Sequence, residues 1–309
     1  MSLCTEKCTM SAASPFWTAR LWSPEAPYDV LNVTFQSSYG ASGDQSRAVL
    51  NGLKADIVHF SVESDVTRLV PDIVDPSWNS GPTKGIISSS IVVFGVRPGN
   101  PKNIKTWDDL IKPGVGIVTP NPASSGAARW NALAAWGQVI EAGGTEDDAK
   151  EFVTKLYQNA VALPSSGRDA TTAFLGGTGD VFLTYENEAI LAKQSGEELD
   201  WVYPDTTLLI ENPAAITKTA DPKAQAYLNF VLSPAGQRAF ALRGFRPVID
   251  GVDTSGIEGV PDPADPFPAP KTLLTIANSF DGDWAGLSKK FFDANTGIVT
   301  QIIAATGNS

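Results

Sequence analysis

The chain has 309 residues, 42% of them hydrophobic and 18% charged, with a formal net charge of −11. That length suits two globular domains at roughly 150 residues each, and no apolar run approaches the roughly 18 residues of a membrane helix. The acidic balance argues against a nucleic-acid partner, which needs clustered Lys and Arg, but not against a small anion held by backbone N–H groups at helix ends.

Residues 1–30 lack a clear period and are interrupted by Pro15, Pro24 and Pro27. The opening Met-Ser-Leu reads as an expression scar, and no apolar signal-peptide core follows it, so a secretory signal is either removed or never existed. Cys4 and Cys8, the only cysteines, are bridged or free; two ligands do not make a zinc site. Leu31–Phe35 alternates as a strand. A turn of small residues follows, then a helix over 44–54 and a strand over 55–62. This is α/β grammar.

The β-branched run 86–97 predicts a long buried strand, and 107–111 a short helix stopped by Pro113-Gly114. Strands are expected at 116–119, 161–163 and 180–185. Helices are expected at 127–142, 147–158, 171–175 and 186–192. Segments 201–203 and 208–210 read as returning strands. Helices 222–232 and 234–243 carry Pro in the first turn, where the missing N–H costs nothing. Residues 250–271, rich in Pro, Gly and Asp, predict an extended wrap, and the tail from Phe280 is helical in places.

Three loops share one chemistry. Ser38-Tyr39-Gly40-Ala41-Ser42-Gly43, Ser124-Ser125-Gly126-Ala127 and Ser165-Ser166-Gly167 each precede a helix. Small residues let backbone approach a ligand closely. The first-turn N–H groups point outward with partial positive charge, and serine hydroxyls add neutral donors. Each loop on its own is also an ordinary capping signal.

A longer set of motifs is more specific. Gly99-Asn100-Pro101-Lys102, Trp107-Asp108-Asp109-Leu110, Pro113-Gly114-Val115, Thr119-Pro120-Asn121-Pro122 and the run Ser124 to Asn131 are followed by Ala134-Ala135-Trp136-Gly137. Gly179-Asp180-Val181, Glu186-Asn187-Glu188-Ala189, Ser233-Pro234-Ala235-Gly236-Gln237 and Phe245-Arg246-Pro247 come later. In this order, over about residues 31–249, the chain resembles the periplasmic sulfate-binding protein family. The resemblance implies an α/β type II periplasmic-binding fold: two lobes joined by hinge-crossing strands. Lobe one is expected at 1–95 plus 207–309, and lobe two at 96–206. It also implies a tetrahedral oxyanion (sulfate or thiosulfate) bound in the inter-lobe cleft, a monomer, an ABC-type permease partner, a periplasmic or secreted location and no cofactor.

The resemblance carries ligand roles onto named positions. Ser42 falls at the family's first-loop serine. Ser125 and Gly126 fall at the second loop's hydroxyl and N–H donors. Ala127 stands where the family has a glycine N–H, and Gly167 at the third loop's N–H. Tyr185 replaces a tryptophan whose indole donates to the anion; a phenol both donates and accepts. Arg129 and Arg168 are implied as charges behind the helix ends, with plain solvent exposure as the alternative. Asp44 stands where the family usually has lysine. The family's N-terminal strand motif is not recognisable in 1–30, which implies that lobe one lacks a core strand and one donor.

Other chemistries fit less well. His59 is the only histidine; with Asp44, Glu63 and Asp65 it offers a scattered metal alternative, but a satisfied core histidine is the simpler reading. A Ser-His-Asp triad would have to use His59, and neither a Gly-x-Ser-x-Gly elbow nor a P-loop is present, so no enzyme is expected. Glu186 and Glu188 read as hinge or scaffold residues. Alternatives within the same fold are molybdate, tungstate, phosphate or a metal ion as ligand, or a drifted binding protein without transport.

Overall fold

A computed structural model describes residues 7–12, 34–280, 282 and 284–307. Cys4, the Met-Ser-Leu opening and the start of the strand expected from Leu31 lie outside the described residues. In chain order the elements are β1 (Lys7–Ala12), β2 (Thr34–Tyr39), α1 (Ser42–Leu50), β3 (Ile57–His59), α2 (Glu63–Thr67) and β4 (Ile86–Val96). Next come α3 (Trp107–Leu110), β5 (Ile117–Val118), α4 (Gly126–Glu141), α5 (Glu146–Gln158), β6 (Ala160–Ala162), α6 (Gly167–Leu175), β7 (Val181–Tyr185) and α7 (Glu186–Gln194). The rest are β8 (Asp200–Val202), β9 (Thr206–Ile216), α8 (Lys223–Val231), α9 (Pro234–Ala241), β10 (Thr272–Leu274), α10 (Ile276–Ser279), α11 (Trp284–Phe292) and α12 (Ile298–Thr306).

The chain divides into two α/β units, 1–89 with 211–254 and 90–210 with 255–309. The strands β4 and β9 each pass from one unit to the other, as two hinge-crossing strands must. The expected partition differs at the C-terminus: 255–309 belongs with the second unit, not the first. Aromatic packing explains why. Trp284 meets Trp130 of α4 edge-on at 4.8 Å, Phe291 meets Trp136 at 4.9 Å, and Lys290 pairs with Glu146 of α5 at 2.5 Å. Edge-to-face pairs of this kind add to the burial of two large apolar surfaces.

In the first unit the strand order is β2-β1-β3-β9, with β1 parallel to both neighbours and β3 antiparallel to β9. Lys7–Ala12 therefore fills the position that the missing family motif would leave vacant, and the expected gap in the sheet is corrected. Its register, Met10 opposite both Ser37 and Ile57, needs only a short extended run with free N–H and C=O groups on both edges. One core of this unit gathers Ile57, Ile87, Tyr227 and Phe240; a second gathers Val49, Val58, Phe60, Val66 and Leu69.

In the second unit the order is β6-β5-β7-β4, with β8 antiparallel to the far half of β4. The strand β4 is buried from Ile87 to Val96, which is why its sequence carries no charged residue and no apolar–polar alternation; its polar members, Ser88, Ser89 and Ser90, are small and buried. Gly95 is required there, because a Cβ would fall 1.8 Å from the Phe182 ring. The helix α4 is buried on most faces and correspondingly rich in Ala. The three elements α2, β10 and α10, each five residues or fewer, were not foreseen; pieces that short carry too few turns for periodicity to register.

Candidate functional site

Within the second unit, β5, β6 and β7 run parallel and end where the chain turns into α4, α6 and α7. Parallel strands place the loops at their carboxyl ends side by side, the usual ligand edge of an α/β sheet. The second and third serine–glycine loops meet there. The amide of Asn121 donates to Pro164 O at 2.8 Å, and Ser124 Oγ donates to Ser165 O at 2.7 Å. Gly167 lies against Ala127 so closely that a Cβ on Gly167 would stand 3.3 Å from the Ala127 Cβ. The N-termini of α4 and α6 are thus neighbours. Each leaves its first-turn N–H groups, including those of Gly126, Ala127 and Gly167, without partners inside its own helix.

Asn131 fixes this edge from below. Its Nδ2 donates to Thr119 Oγ1 at 3.1 Å and to Leu183 O at 3.0 Å, tying α4 to the residue after β5 and to the middle of β7. Ser125 is the N-cap residue of α4 with extended backbone, is 3% exposed, and makes no side-chain capping bond. The Ser125 hydroxyl is therefore not committed to capping α4, whereas the expectation that loop serines supply hydroxyl donors needs correcting for the third loop. Ser165 and Ser166 both donate to Asp169 Oδ2, at 2.5 and 2.8 Å, and Ser166 Oγ accepts from the Asp169 amide at 3.1 Å. Their hydroxyls cap α6 and are spent.

The charged side chains behind the loops are not simply solvated. Arg168 pairs with Glu188 of α7 at 2.8 Å. Burial pushes the Glu188 carboxyl up from its ordinary range, and the Arg168 charge partly offsets that. Arg129, 8% exposed, donates from Nε to Pro122 O at 3.2 Å and lies 5.4 Å from the Phe292 ring. Tyr185 ends β7, opposite Val92, and is the N-cap residue of α7, so the residue stands at the same sheet edge as the two loops.

In the first unit, Ser42 opens α1 and is buried. Its Oγ donates to Asp65 Oδ2 at 2.6 Å and accepts from the Ser61 amide at 3.0 Å. The amides of Ser42, Gly43 and Asp44 head the helix, and the first intrahelical bond runs from Gln45 N to Ala41 O. The metal alternative loses its ligands to other partners: Asp44 pairs with Arg47, and Asp65 with Arg68 at 2.8 Å. Among the described residues no group of three or more His, Cys, Asp or Glu is placed to share an ion. His59 is buried on β3, and burial pushes its pKa down to about 3, the state of a neutral core histidine.

Sequence reasoning missed Asp169 and the Ser124–Ser165 link, and read Asp65 only as a metal ligand. The Ser166-x-x-Asp169 spacing was a visible capping signal. The 23-residue separation of Ser42 and Asp65 offered none.

The chain belongs to the bacterial extracellular solute-binding proteins, whose family model matches residues 25–246. Among its relatives is the sulfate-binding protein of Synechococcus elongatus, 43% identical over 84% of this chain and 74% of the relative. The thiosulfate-binding protein of Pseudomonas aeruginosa is 37% identical over 88% of this chain and 82% of its own length. Among solved structures, the sulfate-binding protein SubI of Mycobacterium tuberculosis H37Rv superposes with a TM-score of 0.84 at 41% identity, covering 93% of this chain and 99% of that one.

Proposed function

We propose that this protein captures sulfate or thiosulfate outside the cytoplasm and delivers it to an ABC-type membrane permease. It acts as a monomer without catalysis, cofactor or nucleic-acid partner. The observation that carries this reading is the adjacency of the α4 and α6 N-termini, with Ser125 keeping a hydroxyl that caps nothing. In the second unit, donors to the anion are the Ser125 hydroxyl, the N–H groups of Gly126, Ala127 and Gly167, and the Tyr185 hydroxyl. A dianion held in this way meets only neutral donors, and two helix ends bring roughly half a positive charge each. Arg129 and Arg168 sit behind the loops and offset the remaining charge.

Family membership does not fix the ligand, because the site decides it. The sulfate- and thiosulfate-binding relatives favour a sulfur oxyanion. Calorimetric titration of the purified protein with sulfate, thiosulfate, phosphate, molybdate, tungstate and divalent cations tests this. Saturable binding of sulfate or thiosulfate in preference to the rest is the expected outcome. Binding of a divalent cation alone, or of nothing in the panel, overturns the reading.

A further inference from the structure

We propose that the second unit carries a separate binding site for small organic ammonium ions, in a cavity between the end of α4 and the C-terminal helices. The cavity measures about 570 Å³, within the range of small-ligand sites. Every residue lining it belongs to the second unit, and those from α4 lie between Trp136 and Glu141, at the opposite end of that helix from Ser125 and Gly126. Its inner wall is apolar and buried: Trp136, Leu274, Leu287 and Phe291 are each at most 7% exposed. Gly137 lets that wall close, because a Cβ there would fall 2.8 Å from Leu274 Cδ1 and 2.9 Å from Phe280 Cζ.

The charged side chains lining the cavity are Glu141, Glu146 and Lys290. Lys290 marks which charge the site accepts. Its Nζ donates to Glu146 Oε1 and lies 5.3 Å from the Phe291 ring centroid and 5.9 Å from that of Trp136. An ammonium within about 6 Å of an aromatic face is attracted by the ring quadrupole. The chain therefore sets one of its own ammonium groups where two rings and a carboxylate meet. The hold is loose: Lys290 and Glu146 are 43% and 65% exposed, and an exposed ion pair contributes little. The flexible four-carbon stem lets the lysine head leave. Glu141 pairs with no cation among the described residues.

These features choose between ligand classes. Two carboxylates against one ammonium leave the cavity negative, so an entering carboxylate is repelled. A neutral molecule gains the apolar wall alone. An amine with an apolar body covers the same wall, and its ammonium takes the place of Lys290 beside Glu146 and the rings, with Glu141 as a second carboxylate.

The test is calorimetric titration of the full chain with 2-phenylethylammonium. The neutral and anionic probes of similar shape are 2-phenylethanol and 3-phenylpropanoate. Excess sulfate is present throughout, so that the anionic probe does not report from the serine–glycine loops. The ammonium probe should bind saturably and at least about threefold more tightly than either of the others, the size of an exposed cation–π contact. Lys290→Met keeps the apolar stem and removes the competing charge, so it should tighten the ammonium probe by about threefold, and Glu141→Gln should weaken it by a similar factor. Both side chains are exposed, and melting temperatures close to the parent's establish that the variants fold. The proposal is overturned if the ammonium probe does not saturate, or if the alcohol or the carboxylate binds as tightly. Weaker ammonium binding by Lys290→Met overturns it too, and so does binding that is unchanged by either substitution, which would place the probe elsewhere.

Discussion

Replacing Ser125 by alanine separates ligand chemistry from helix chemistry. At an ordinary N-cap serine the same change costs about 1 kcal/mol of stability, because the hydroxyl serves an amide of the first turn. Ser125 makes no such bond, so the anion-free protein should melt within a degree or two of the parent. The anion, by contrast, loses a hydroxyl donor carried by a residue only 3% exposed. A hydrogen bond to a charged acceptor is worth roughly 1.5–3 kcal/mol, or about ten- to a hundredfold in Kd at 1.4 kcal/mol per decade. Calorimetry gives the affinity, and a thermal melt without sulfate gives the stability. A melting temperature that falls while Kd holds would refute the reasoning, because it would show the hydroxyl serving the fold and not the ligand.

Other expectations follow from single residues. Tyr185→Trp should raise the sulfate-to-phosphate preference, since indole N–H only donates while phosphate near neutral pH keeps a proton that needs an acceptor; calorimetry with both anions at one salt concentration checks it. His59, with its folded pKa at about 3 against 6.5 when exposed, is neutral in the folded protein and takes up a proton on unfolding. Its contribution is intact above about pH 6.5 and is lost as the pH falls toward 3, at about 1.4 kcal/mol per unit. Urea midpoints measured from pH 7 to 4 should show that limb, and His59→Gln should flatten it. Gly236→Ala, whose Cβ would lie 2.1 Å from Phe230 O, should destabilise the protein by about 3 kcal/mol, read as an early urea transition with the sulfate Kd retained once the protein is folded.

The fold was legible where the chain keeps one character over many residues, whether a period or an unbroken buried run. The strand at 86–96, the helix at 126–141 and the helix at 146–158 all lie within two residues of their sequence limits. It was not legible where three-dimensional packing decides. No local pattern assigns 255–309 to the second unit, because the decision lies in Trp284 and Phe291 meeting Trp130 and Trp136. Nor does any spacing show that residues 7–12, without a recognisable motif, complete the first sheet. The candidate site divides the same way. The strand–serine–glycine–helix context picked out Ser42, Ser125 and Gly167, but sequence could not say which serine protons remained free. Ser165 and Ser166 are committed three residues on, to Asp169, which a capping pattern reveals. Ser42 is committed to a residue on another element.

With a dianion as the proposed ligand, a chain of net charge −11 separates two electrostatic scales, and the separation has a measurable consequence. Dissociation is set at contact, by neutral donors and helix ends whose influence is confined to about one turn. Encounter is set by the whole surface, and like charges slow it. Salt acts on the second far more than on the first, because the screening length is about 8 Å at 0.15 M while buried contacts are scarcely screened. Raising sodium chloride from about 0.01 to 0.15 M should therefore speed sulfate association and leave dissociation nearly unchanged, so that Kd tightens with salt. Stopped-flow traces of tryptophan fluorescence would give both rates. Association that slows as salt rises would mean that the anion is steered by local positive charge instead, with Arg129 and Arg168 acting on the approaching ligand and not only behind the loops.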